Sequence, residues 1–137
     1  MLLTISIPSY NRGHRARALV ESLLKLPYDE SVIEIVVSDN GSVKHAEDYK
    51  YISELTDPRL RYHRFDENKG YMMNLNQVIR MARGEYCLII SDEDSIVAEN
   101  LETYLDIMRS SDKPALIKGR TSWQYDWNDN YSGAAGV

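Results

Sequence analysis

Strand-length apolar runs alternate with helical stripes along this chain, and that alternation constrains its fold more than any other feature. Leu2 to Pro8, rich in Leu and Ile, predicts a first strand. The turn Ser9-Tyr10-Asn11-Arg12-Gly13 leads into Ala16, Leu19, Val20, Leu23 and Leu24, the spacing of a helix face packed on a sheet, with Pro27 marking its end. Val32 to Val37 carries the β-branched run of a central parallel strand. It exits through Ser38 to Ser42, where Asn40-Gly41 signals a turn. A weaker stripe (Ala46, Tyr49, Ile52, Leu55) runs to the breaker Asp57-Pro58. Leu60 to Phe65 predicts a third, more polar strand. After the loop Asp66 to Gly70, the stripe Met72, Leu75, Ile79 and Ala82 predicts a helix ending at Gly84. Tyr86 to Ile90 reads as a fourth strand buried on both faces, with Cys87 inside it. Leu101, Tyr104, Leu105 and Met108 give another helix, and Pro114 to Ile117 begins a fifth strand. Alternating strands and helices with short connections call for an α/β domain: an open, mainly parallel sheet with helices on both faces.

The 137 residues suffice for one core, so residues 1–137 are expected to form a single domain. From Gly119 onward the pattern fades into Trp123, Tyr125, Trp127 and Tyr131, which reads as a domain cut short. A net charge of −5 with no basic block argues against nucleic acid as a partner. The apolar runs are too short to span a membrane, and no signal peptide precedes the first strand. A lone cysteine, Cys87, expected as a small buried side chain, fits a reducing compartment. The expected location is cytoplasmic, with peripheral association at the inner face of a membrane left open.

In such a sheet the loops after the strand carboxyl ends gather on one edge. Four of them carry polar groups: Ser9 to Arg12, Ser38 to Ser42, Asp66 to Lys69, and Ser91 to Asp94. Asp39 follows the second strand where doubly wound folds place an acid against a ribose or base; it also suits the Asn40-Gly41 turn. Asn11 and Arg12 can meet a base or phosphate, though Asn11 also suits a turn. Lys69 can reach a diphosphate or stay solvated. Asn76, on a helix where Asn has poor propensity, is expected to hold a loop. Asp92, Glu93 and Asp94 repel one another unless a cation joins them, so they read either as an all-oxygen site for Mg²⁺ or Mn²⁺ or as a solvated turn capping the next helix. A dinucleotide G-x-G-x-x-G and a P-loop are both missing from the sequence. His14, His45 and His63 lack the spacing of zinc ligands.

Ile7-Pro8-Ser9-Tyr10-Asn11, Val36 to Ser42, Asn68-Lys69-Gly70 with Asn76, and Ala82 to Tyr86 running into Ser91 to Asp94 together resemble family 2 glycosyltransferases over residues 3–120. The resemblance implies the GT-A, Rossmann-like fold and its nucleotide-sugar-binding half. It also implies sugar transfer from a nucleotide-diphosphate donor to a saccharide or lipid-linked acceptor, usually with inversion. It gives a nucleotide-binding set of Pro8, Ser9, Tyr10, Asn11, Asp39, Lys69 and Asp92. The metal set is Asp92, Glu93 and Asp94, holding Mn²⁺ or Mg²⁺. Two registers of the acidic motif remain open, pairing Asp92 with Asp94 or Glu93 with Asp94. The general base is expected downstream, in an acceptor half that this sequence does not reach; Asp126 and Asp129 are not assigned to it. Two alternatives stand beside this reading. Asp92-Glu93-Asp94-Ser95 resembles the D-x-D-x-[ST] signature of haloacid dehalogenase-like phosphatases. The other is not catalytic: a module that binds a nucleotide-sugar weakly, or a fragment that self-associates through uncovered sheet edges.

Overall fold

The computed structural model describes residues 1–118 with their side chains, and the strands 122–126 and 130–135 as backbone. The elements are β1 (Leu3–Ser9), α1 (Gly13–Leu24), β2 (Ile33–Asp39), α2 (Ala46–Glu54), β3 (Leu60–Arg64), α3 (Tyr71–Met81), β4 (Tyr86–Ile89), β5 (Asp94–Ile96), α4 (Ala98–Arg109), β6 (Ser122–Asp126) and β7 (Asn130–Ala135). Four strands form a parallel sheet in the order β3-β2-β1-β4. The chain therefore winds outward from β1 through β2 to β3, then returns to the other side of β1. Such a reversal opens a crevice at the carboxyl ends of the two strands that flank it, here β1 and β4.

Alternation along the strands gives the sheet two unlike faces. Leu3, Ile5, Ile7, Ile33, Ile35 and Val37 point to one side and form the core with Ala16, Leu19, Val20 and Leu23 of α1, Tyr49 and Ile52 of α2, and Leu101, Leu105 and Met108 of α4. Each of the Leu, Ile, Val and Met side chains among them stabilises the fold by about 1.5–3 kcal/mol through burial. Thr4, Ser6, Glu34 and Ser38 are buried on the opposite face, which α3 covers over β1 and β2.

That polar face explains a correction. The stripe Met72-Leu75-Ile79-Ala82 does not point inward: Met72 is 62% and Ile79 46% exposed, while Asn74 and Val78 face the sheet. The helix is turned so that its polar and small-contact side meets Thr4, Ser6 and Glu34, and Ser6 Oγ donates to the Val78 carbonyl. β4 also differs from expectation. It is the edge of its sheet, and its residues alternate between half-buried and exposed rather than being buried on both faces. Cys87 and Ile89 lie beyond the cover of α3, so Cys87 is exposed, with Sγ 3.4 Å from Ser6 Oγ.

No strand forms over Pro114 to Ile117; Leu116 is 85% exposed, and Pro114 has no N–H to give a ladder. The later strands build a separate three-stranded sheet instead, β5-β7-β6, with β6 and β7 antiparallel. The side chains of Trp123, Tyr125, Asp126 and Tyr131, and residues Trp127 and Asp129 altogether, lie outside the described residues. Among the described residues no helix is long and apolar enough to cross a membrane.

Candidate functional site

A cleft of about 560 Å³ opens at the carboxyl ends of β1 and β4. Pro8, Ser9, Tyr10 and Arg12 form one wall, Ile89, Ile90 and Ser91 another, and Asn40, Asn68, Gly70, Tyr71 and Asn74 the third. Each wall is a segment leaving a strand or entering a helix, so the sheet topology brings residues far apart in sequence to one edge.

A chain of polar contacts crosses the floor. Ser9 Oγ donates to Asp92 Oδ2 at 2.6 Å and lies 2.6 Å from the Tyr49 hydroxyl, which in turn accepts the Arg12 N–H at 3.1 Å. Arg12 Nε sits 2.8 Å from Asp92 Oδ1 as an ion pair, although no N–H points squarely at that oxygen. Arg12 Nη1 reaches Glu93 at 3.2 Å, and Arg15 approaches the same carboxylate at 3.7 Å. Burial pushes the Asp92 carboxyl above its ordinary pKa, against the opposing pull of Ser9 and Arg12. Asp94 is raised as well, by burial first and by the Glu93 charge after it. Burial lowers the Arg12 guanidinium, but the Asp92 and Glu93 charges outweigh it and leave that pKa raised.

The sequence-predicted residues separate into two groups. Pro8, Ser9 and Tyr10 line the cleft, and Asp92 lies in its floor behind Ser9. Asn11, Asp39 and Lys69 are used by the frame. Asn11 takes the left-handed conformation (φ 56°), and its Oδ1 accepts the Val43 and Lys44 N–H groups at 2.9 and 3.0 Å, tying the loop after β1 to the loop after β2. Asp39 is fully buried: Oδ1 accepts Ser42 N–H at 2.8 Å, while Oδ2 accepts the Tyr62 hydroxyl at 3.0 Å and a short contact from Arg64. The Tyr62 pKa is accordingly raised, by burial and then by the Asp39 charge. Lys69 gives its backbone N–H to Asn40 Oδ1 at 2.9 Å, and its ammonium pairs with Glu67.

The three acids do not gather into a metal centre as arranged. Asp92 is committed to Ser9 and Arg12, Glu93 to Arg12 and Arg15, and Asp94 begins β5. Among the described residues no three His, Cys, Asp or Glu side chains converge as ligands. The oxygen donors have the right chemistry for Mg²⁺ or Mn²⁺; arginine cations lie against Asp92 and Glu93, while Asp94 is in no ion pair among the described residues.

Several cleft residues escaped the sequence reading. Asn40 stitches the wall together, its amide donating to Asn68 Oδ1 at 3.0 Å and to the Gly70 carbonyl at 3.2 Å. Asn74, not Asn76, is the asparagine of α3 that holds a neighbouring segment, donating to the Ser9 carbonyl at 3.3 Å; Asn76 is exposed. Its signal lay in helical phase, because Asn74 and Val78 share a face at i, i+4.

The fold and cleft define a GT-A-type α/β domain with its ligand edge at the strand carboxyl ends. The family model described as "Glycosyl transferase family 2" matches residues 4–134, and the chain belongs to that family. The chain is 31% identical over 129 residues to glycosyltransferase GlyG of Streptococcus pneumoniae, covering 93% of this chain and 41% of that protein. The chain spans between 33% and 41% of the length of the first curated relatives it matches. Among solved structures, Staphylococcus aureus TarS (residues 1–349) in complex with UDP-GlcNAc superposes with a TM-score of 0.68, at 23% identity, over 80% of this chain and 31% of that one. The mannosyltransferase PcManGT of Pyrobaculum calidifontis, in complex with GDP-Man and Mn²⁺, gives 0.67 at 20% identity, over 80% of this chain and 32% of that one. Family membership sets aside the phosphatase alternative, which in any case needs Asp92 exposed as a nucleophile, whereas its side chain is fully buried.

Proposed function

We propose that this chain holds the nucleotide-sugar donor of a glycosyltransferase that moves a sugar to an acceptor hydroxyl, on a saccharide or lipid-linked acceptor, with inversion at the anomeric carbon. The observation that carries the reading is the cleft at the β1–β4 reversal, walled by Pro8 to Arg12, Asn40, Asn68 to Asn74 and Ile89 to Ser91. Its position supports nucleotide binding, and the UDP-GlcNAc and GDP-Man complexes of the two structural neighbours support the donor class.

In this reading Tyr10, 38% exposed at the cleft, offers an aromatic face to the base. Arg12 is the permanent cation facing the cleft beside the β4 exit, where a diphosphate would compete with Asp92 for it. The acceptor oxygen attacks the anomeric carbon as the bond from that carbon to the diphosphate oxygen breaks. A carboxylate of the acceptor half takes the hydroxyl proton. A divalent ion, Mn²⁺ or Mg²⁺, belongs to the proposal on the support of the Mn²⁺ complex of PcManGT, and it would neutralise the departing diphosphate. Binding and orientation by Tyr10 and Arg12 are argued without it, because the acids are not gathered for it.

Thermal melting with UDP, GDP or dTDP, each with and without Mn²⁺, tests the proposal. At about 100 times the dissociation constant a specific nucleotide adds roughly 2.7 kcal/mol of stability, a rise of several degrees. Asp94→Ala is expected to remove only the Mn²⁺-dependent part. No shift with any of the three nucleotides, with or without metal, contradicts the reading.

A further inference from the structure

Asn74 is 3% exposed, lines the cleft and carries a buried Oδ1 with no hydrogen-bond partner among the described residues. Its Nδ2 donates to the Ser9 carbonyl at 3.3 Å, and a carbonyl accepts only from the NH₂ end of the amide. That bond fixes the amide's direction and leaves Oδ1 as its unpartnered end. An orphaned buried acceptor is destabilising, and a ligand donor relieves that on binding. The Ser9 carbonyl also receives the Asn40 N–H at 3.0 Å, so it keeps a partner when the Asn74 side chain is replaced.

We propose that Asn74 is a specificity-determining residue whose Oδ1 accepts a hydrogen from the nucleoside part of the donor, either a base N–H or a ribose O–H. This rests on the nucleotide-sugar reading above. The diphosphate is excluded as the partner, since its oxygens are acceptors and would repel Oδ1; Arg12 is the group in the cleft suited to it. The acceptor that the sequence offered for this task, Asp39, is fully buried and occupied by Ser42, Tyr62 and Arg64. Asn74 therefore supplies an unoccupied acceptor among the cleft-lining residues, which also include the exposed rings of Tyr10 and Tyr71.

The test is calorimetric titration of the intact protein, and of Asn74→Leu and Asn74→Ser, with UDP, GDP and inorganic diphosphate, with the ligand-free melting temperature of each recorded. For a nucleotide that the wild type binds, both variants should bind about tenfold more weakly, because a donor hydrogen is left buried without a partner. Inorganic diphosphate binding and ligand-free melting should stay close to wild type. Deoxyribose and N-methylated-base analogues then identify the hydrogen. The analogue lacking it binds wild type as weakly as the variants bind the parent nucleotide, and is weakened no further by Asn74→Leu. Equal nucleotide affinity in wild type and variants overturns the proposal. So does a parallel loss of inorganic diphosphate binding or a large fall in ligand-free melting in both variants, either of which would make Asn74 part of the frame. If the wild type binds no nucleotide, the donor-binding reading fails and this inference with it; variants that bind like wild type sink only Asn74.

Discussion

Glu34 shows what a single buried charge does in this fold. It sits at 0% exposure on β2, with Oε1 accepting Thr4 Oγ1 at 2.8 Å and the Arg83 N–H at 3.0 Å, and Oε2 accepting Arg83 Nε at 2.7 Å. Burial alone would raise its pKa, but the bonds from Arg83 and Thr4 outweigh it and hold the carboxyl below the ordinary glutamate value. A carboxylate lowered in the folded state contributes stability that is present above its unfolded pKa and lost as pH falls through the folded one. Urea unfolding should therefore show stability declining as the pH drops below about 4. Glu34→Gln should flatten that decline and cost about 1–3 kcal/mol at neutral pH, since an amide NH₂ would face the Arg83 donors. A variant with wild-type stability and pH dependence would refute this account. Glu34 stands in an apolar run where the sequence marks no partner; Thr4 and Arg83 meet it only once β1, β2 and the α3–β4 turn are assembled. Asp39 carries the complementary lesson. Its position at the carboxyl end of the second strand was legible, but whether its carboxylate faced a ligand or the frame depended on Tyr62 and Arg64, placed beside it by the parallel register of β3.

Among the elements, the loops hold the cleft because they are packed against one another. Gly41, at φ 69°, brings the turn after β2 so close to the β3–α3 loop that a Cβ there would lie 2.4 Å from the Glu67 carbonyl carbon. Gly41→Ala is expected to cost at least about 1–3 kcal/mol from backbone strain alone, with the displaced Asn68–Gly70 wall adding weaker nucleotide binding. Chemical denaturation checks the first effect and titration the second; an unchanged protein would show the two loops to be independent. The Asn40-Gly41 turn was readable, because its residue types act locally. α1 was readable too, its stripe of Ala16, Leu19, Val20 and Leu23 coinciding with its buried face. α3 was harder, since its inward face answers to the polar side of the sheet rather than to its own apolar stripe. β4 misled for a related reason: an apolar run looks the same in a central strand and in an edge strand.

At the scale of the molecule, the strand order β3-β2-β1-β4 determines where a ligand can go. The reversal at β1 brings the exit of β4, with Ser91 and Asp92, against Ser9 and Arg12. The order from β1 to β4 with the helices between them, and the helix α4, was legible from periodicity alone, whereas β5, β6 and β7 were not; the convergence of four polar loops followed from the first part. The pairing of the acids with Arg12 and Arg15 was not, because sequence spacing says nothing about which cation reaches a carboxylate across a fold. The cleft as a nucleotide site is the central claim, and amide hydrogen exchange with and without UDP or GDP tests it most directly. Bound nucleotide is predicted to slow exchange in 9–12, 40–42, 68–74 and 90–92 together, leaving α2 and α4 unchanged. Protection confined to other segments, or absent with both nucleotides at saturating concentration, would contradict it.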